Sequence, residues 1–238
     1  MKKKTWFFLL FFALAWQIVL AQKVSKSLYK ADSLFSAGKQ EQAYPLYRQI
    51  LRQERQASPQ LLLRMAYVQE GLGHYTGALY YLNLAQARQP RHATWHKIVE
   101  LAQNQRATGY PDSWRQSLII TFRRYYYRIL QLLLIVAVAG GTLLLVRRRS
   151  VARGWWLGYA AYLSLVATFL NVLGPVQAGI VANPHAALMA GPGAGSSWLT
   201  TAAAGDRFVV RGQQDIWYRV LWRGQTAYIR RADLLLIK

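Results

Sequence analysis

The stretch Arg147-Arg148-Arg149-Ser150-Val151-Ala152-Arg153 lies between two long apolar runs, and its reading decides the fold. Upstream, residues 129–146 are interrupted only by Gln131 and Thr142; downstream, residues 154–173 carry no formal charge. A helix rises about 1.5 Å per residue, so each run can cross a hydrocarbon core of about 30 Å. The intervening loop is too short for a folded domain. The pattern predicts a transmembrane hairpin with spans 129–146 and 154–173. Its basic loop, 147–153, belongs on the cytoplasmic side, where Lys and Arg accumulate.

A further apolar run opens the chain. Lys2-Lys3-Lys4 precede residues 6–20, and Ala21 supplies a small residue at the end. This resembles a secretory signal peptide, residues 1–21, cut before Gln22; uncleaved, it would be an N-terminal anchor. Either way the chain from Gln22 is exported, the 147–153 loop is internal and the C-terminus is external again. Arg115, Arg123, Arg124 and Arg128 precede the first span, as many arginines as the loop itself holds. Local charge therefore ties, and the export signal decides the orientation.

The formal charge of +21 is concentrated at the membrane flanks: residues 115–153 hold eight arginines and no carboxylate. Basic residues there attract anionic lipid headgroups, at about 1 kcal/mol each. A charge distributed in this way speaks against nucleic acid as the partner. With no cysteine in the chain there are no disulfides and no thiol chemistry.

Residues 29–56 and 64–90 overlay with a shift of 35: Gly38 falls on Gly73, Ala43 on Ala78, Tyr44 on Leu79, Tyr47 on Leu82 and Ile50 on Ala85. Each copy reads as helix, glycine turn, helix. Glycine permits the turn, and the small Ala43 and Ala78 let the paired helices approach closely. The spacing resembles the tetratricopeptide repeat. Pro90 closes the second copy; Pro45, in the first, is expected within the first turn of its helix. About three units are needed for a continuous core, and the amphipathic segment 91–106 is expected to cap the array, which makes residues 22–114 one all-α domain. Residues 115–128 form a basic juxtamembrane segment before the first span.

Beyond Gly174-Pro175 the pattern changes to short strands. Residues 207–211, 216–222 and 226–230 alternate apolar with basic or polar positions, as half-buried antiparallel strands do. A turn is expected at 212–215 and a tight hairpin at Arg223-Gly224. Ile180-Val181 and Ala187-Leu188-Met189 begin the domain, 191–197 is a glycine-rich loop, and Arg231–Leu234 lead into a last strand at 235–237. The arrangement resembles bacterial SH3-like domains over residues 178–238, with Ala227-Tyr228-Ile229 where that family has Gly-Trp-Val. Trp198, Trp217, Tyr218, Trp222 and Tyr228 are the candidate ligand-facing strip. The fold class is thus a multi-domain membrane protein: an all-α helical repeat, a two-helix transmembrane hairpin and a small all-β barrel.

Catalytic chemistry finds little support. His92, His96 and Glu100 share one helix face and could in principle meet a zinc ion, but no second cluster joins them and they read as a solvated stripe. The carboxylates form no close pair, the glycines at 191–195 lack the Lys-Ser/Thr of a phosphate loop, and no nucleophile elbow is present. No catalytic residue, metal or cofactor is assigned. Within the spans, Ser164, Thr168 and Asn171 are expected to reach Gln131 or Thr142, and Ala137 and Gly141 to form a small-residue contact face.

Taken in order, signal peptide, repeat, basic-looped hairpin and SH3-like barrel resemble the BatE-type proteins of the Bat "aerotolerance" operons. That resemblance covers the whole chain. It implies a non-enzymatic scaffold in the bacterial inner membrane, with both soluble domains periplasmic, linked to envelope stress. Its implied partners are von Willebrand-type membrane proteins and a MoxR-type ATPase. In the tetratricopeptide family the first helix of each repeat lines the binding groove, which makes Lys26, Lys30 and Arg64 the candidate partner-binding residues. Residues 22–114 hold twelve Lys or Arg against six carboxylates, so an acidic partner segment is expected. The alternative is a membrane protein whose barrel binds peptidoglycan.

Overall fold

The computed structural model describes residues 27–53, 58–147, 152–172, 177–193 and 195–237. The stretch 1–21 read as a signal peptide, Lys26 and residues 148–151 of the basic loop lie outside them. Among the described residues the chain forms seven helices and one seven-stranded antiparallel sheet. They fall into two compact units divided between Arg88 and Gln89.

The first unit is two helix pairs: α1 (27–36) with α2 (Gln40–Gln53), and α3 (Pro59–Gly71) with α4 (Tyr75–Arg88). The two turns are built alike. Gly38 and Gly73 have φ of 75° and 74°, the left-handed region open to glycine. In each, the residue after the glycine donates its N–H to a carbonyl five residues back (Lys39 to Leu34, His74 to Gln69), and the glycine donates to one three back (Phe35, Glu70). This is a Schellman cap, which satisfies carbonyls the helix leaves open. Ala43 and Ala78 are both fully enclosed, and Tyr47, Leu82, Ile50 and Ala85 are buried, so equivalent positions serve equivalent packing. Ser58 starts α3 by accepting from the Leu61 N–H, with Pro59 at the first helical position. Pro45 departs from expectation. It sits in the second turn of α2, not the first, on the exposed side where the Glu41 carbonyl it leaves unbonded can be hydrated.

The second unit begins with α5 (His92–Asn104), continues through α6 (Trp114–Val146) and α7 (Arg153–Val172), and ends in the sheet. The segment read as the cap of the repeat belongs to this second unit. The basic juxtamembrane segment 115–128 is not separate from the apolar run, because α6 runs unbroken for 33 residues from its Ser113 cap. α6 is long and apolar enough to cross a membrane, and almost none of its apolar stretch is buried.

The strands are β1 (Ala178–Val181), β2 (Ala186–Met189), β3 (Trp198–Ala202), β4 (Arg207–Gln214), β5 (Trp217–Trp222), β6 (Gln225–Arg230) and β7 (Leu234–Ile237). Their order in the sheet is β3-β2-β6-β5-β4-β1-β7. Register shifts at Leu188/Met189 and Val210/Gly212 mark bulges, which increase local twist and bend the sheet around one core. Val181, Leu188, Phe208, Val220, Ala227 and Ile229 fill that core. Arg223 and Gly224 both have positive φ, the two-residue hairpin whose twist suits its strands. β3 was not anticipated. β4 also continues through the expected turn to Gln214, because the bulge absorbs Gly212 and the reversal falls at Asp215, itself at φ 52°.

Candidate functional site

Helices α6 and α7 pair antiparallel, and tyrosine holds them together. Tyr159 donates its hydroxyl to the Ala137 carbonyl at 2.7 Å, and Tyr162 donates to that of Leu133 at 2.6 Å. Nearer the α6 N-terminus, Phe169 stacks on Tyr126 at 5.1 Å and meets Phe122 edge-on at 5.9 Å. Ala137 is buried and Tyr159 lies across Gly140 and Gly141, as expected of a small-residue face. The expected polar bonds between helices do not form. Thr142, Ser164, Thr168 and Asn171 each bond a carbonyl four residues back in their own helix, the nearest acceptor in an apolar setting. A groove of about 570 Å³ opens beside the hairpin between Leu144 and Trp155. Of its polar side-chain groups, the Tyr159 and Tyr162 hydroxyls are already used on α6; the other is the Trp155 indole N–H.

The chain between α5 and α6 forms a strap that binds the sheet. Asp206, a buried carboxylate, accepts from the Thr108 N–H at 2.7 Å and the Thr108 hydroxyl at 2.8 Å through Oδ1, and from the Ala203 N–H at 2.8 Å through Oδ2. Three donors to one buried carboxylate satisfy it without a cation. The Arg207 N–H donates to the Thr108 carbonyl at 3.0 Å, and the Tyr110 hydroxyl to that of Gly205 at 2.7 Å. Trp95 of α5 supports the strap, donating its indole N–H to the Pro111 carbonyl at 3.2 Å. The Arg207 guanidinium lies 5.5 Å above the Trp95 ring. Gly109 has φ 90°, and a Cβ there would overlap the Arg207 carbonyl. No other residue fits.

The strap carries a topological consequence. Residues 108–110 precede α6 and residues 205–207 follow α7, yet they are bonded. With α6 and α7 antiparallel, both flanks leave the same end of the hairpin. Close to that end lie Trp114 under Arg115, and Tyr125 under Arg124 and Arg128 at 5.8 and 6.0 Å. At the opposite end Trp155 is exposed.

The sequence-derived candidates fare unevenly. Lys26 lies outside the described residues, and Lys30 is exposed on α1. Arg64 is already engaged, ion-paired with Asp32 and set over the Phe35 ring at 5.7 Å. The expected aromatic strip is not one surface. Tyr218 and Trp217 are buried, the former within the core cluster, while Trp222 and Tyr228 are half-buried. Trp198 is 63% exposed, on the edge strand β3. His92 faces Thr121 at 3.1 Å, Glu100 pairs with Lys97 at 3.5 Å, and no group of three metal-ligating side chains occurs among the described residues.

Sequence reasoning missed the strap. Its signals were Gly109 directly after a helix end and Asp206 after Gly205, each ordinary alone. Burial holds the Arg207 guanidinium below its ordinary pKa; the Tyr110 phenol opposes this and the charge of Arg123 adds to it. No protein-family model and no curated protein matches the chain.

Proposed function

We infer that the chain is a non-enzymatic membrane scaffold that presents two interaction domains on one exported side. In this reading α6 and α7 both span the bilayer, residues 147–153 turn in the cytoplasm, and the strap carries the argument. A bond network between segments before and after the hairpin is compatible only with flanks on the same side. The aromatic and basic side chains near Tyr125 and Trp155 fit interfacial belts. The apolar run between them covers about 27 Å, a hydrocarbon thickness.

Within this reading the first unit is a tetratricopeptide pair, supported by the identical capped turns 35 residues apart. The second unit ends in an SH3-like domain, supported by the 3-10 turn Arg231–Asp233 before the last strand and by the hairpin at Arg223-Gly224. The place of such a protein is a Bat-type inner-membrane complex, with the repeat taking an acidic segment of an exported or membrane partner. Photo-crosslinking from Lys30 in native membranes, followed by purification, should capture one membrane protein in a salt-sensitive manner. Capture that is indifferent to salt, or of lipid alone, would contradict the reading. Exposed Trp198 on a free sheet edge favours a second reading, peptidoglycan binding, which retention of the protein on purified sacculi would support and loss in Trp198→Ala would localise.

A further inference from the structure

The groove beside the hairpin is apolar, open and charged at one end only. On α6 its lining residues Val136, Gly140, Leu143 and Leu144 follow at spacings of four, three and one, so they form one stripe along the helix. One turn beyond Leu143 and Leu144 that stripe reaches exposed Arg147. On α7 the lining includes Gly154 and Gly158, and a Cβ built on either meets nothing within 4 Å. The missing side chains keep the hollow open, while Tyr159 and Tyr162 reach across to α6. Arg153 stands between the lining residues Ala152 and Gly154, and the loop 147–153 holds four arginines and no carboxylate. Exposed Trp155 adds an indole N–H at the same end.

We propose that this groove seats an acyl chain of one anionic phospholipid, with the phosphate held at Arg147 and Arg153. The proposal rests on the two-span reading above, which places this end of the hairpin in the cytoplasmic leaflet. Length and charge select the occupant. From Val136 to Leu144 the groove follows α6 for about 12 Å, within one leaflet of a hydrocarbon core about 30 Å thick. A phospholipid occupies one leaflet; a partner helix that crosses the bilayer needs a face along the whole core. Nearer the α6 N-terminus no such face continues between the helices, because Phe169 packs on Tyr126 and Phe122. A second copy of the chain would set four more arginines against the first four. Guanidinium groups instead present forked donors that match phosphate oxygens, and methylene groups cover the apolar hollow. A basic pocket between spans on the cytoplasmic side suits an anionic headgroup.

The test uses the full chain, purified in detergent, stripped of lipid and titrated with phosphatidylglycerol or phosphatidylcholine under native mass spectrometry. One phosphatidylglycerol should bind per chain, about tenfold more tightly than phosphatidylcholine. Arg147→Gln combined with Arg153→Gln should bring the two lipids to parity. Arg115→Gln combined with Arg128→Gln, toward the other end of α6, should leave the preference as it was. Gly158→Leu fills the hollow without changing charge and should weaken binding of both lipids, and Gly158→Ala should do so to a smaller degree if the larger side chain prevents folding. The proposal is overturned if the unsubstituted chain takes both lipids equally, or if the Arg115 and Arg128 pair carries the preference. It is equally overturned if Gly158→Leu binds lipid as before, or if that substitution dissolves a dimer while lipid binding persists. Binding in detergent is blind to membrane sidedness, so the lipid site and the topology can fail separately.

Discussion

The helix turns at Gly38 and Gly73 and the strap at Gly109 all use positive φ, but for different reasons. Nothing lies within 4 Å of a Cβ built on Gly38 or Gly73; there the glycine serves only the backbone's left-handed conformation. At Gly109 the conformation is combined with close approach to the Arg207 carbonyl, nearly a hundred residues away in sequence. A residue whose role is local can be replaced at the cost of local strain. One whose role is a long-range contact takes the contact with it.

The largest effect should therefore follow Gly109→Ala. Overlap with a backbone oxygen and a strained φ together cost about 3 kcal/mol. The strap should leave the sheet, and hydrogen exchange at the Thr108 and Arg207 amides should accelerate together while the β5–β6 hairpin stays protected. If Thr108 alone changes, the two segments are not one unit.

Asp206→Ala sharpens the same side of the comparison. It orphans three donors that the carboxylate now satisfies, at about 2 kcal/mol after partial hydration. Proteolysis within 105–113 should become faster, with the repeat unit untouched.

The repeat unit has its own signature in alkali. Burial first, and then the hydrogen bond with Tyr44 at 3.1 Å, raise the Tyr81 pKa above its ordinary value near 10. A group with a raised folded pKa gives stability that is complete below the unfolded value and is lost as pH rises through the folded one. Denaturant midpoints should thus fall above pH about 10, and Tyr81→Phe should flatten that fall. An unaltered slope in Tyr81→Phe would contradict the assignment.

The smallest effects belong to the turns. Gly73→Ala should cost about 1 kcal/mol, the strain of a left-handed alanine. A third turn offers the converse. After α5, Ala107 donates to Ala102 and Arg106 to Gln103, the same cap, but the left-handed position at φ 55° is Arg106. Arg106→Gly should stabilise by roughly 0.5–1 kcal/mol, visible as a small rise in melting temperature. A loss of stability would mean that the Arg106 side chain contributes more than its backbone strain costs.

Legibility in the sequence follows the same division. The paired turns were readable because glycine, the enclosed alanine and the buried aromatic or aliphatic positions repeat at one spacing, and each acts on its neighbours. The Arg223-Gly224 hairpin was readable for the same reason. β3 was not, because Trp198-Leu199-Thr200-Thr201 follows a glycine-rich loop and has only one face to bury. The strap was not, because nothing near Thr108 announces Asp206. The aromatic strip misled because alternation assigns faces without saying which face is core: Tyr218 went inside, and Trp198, outside the alternating strands, is the exposed one. The ion pair of Arg64 was not legible because its partner, Asp32, lies on another helix.

The central claim is that the segment before α6 and the sheet after α7 occupy one side of the membrane, with the basic loop on the other. The chain has no cysteine, so single cysteines can be introduced cleanly at Gln105, Ser150 and Thr226. A membrane-impermeant maleimide applied to intact spheroplasts should label Gln105→Cys and Thr226→Cys, and should label Ser150→Cys only after permeabilisation. Labelling of Gln105→Cys and Thr226→Cys from opposite sides would contradict the account.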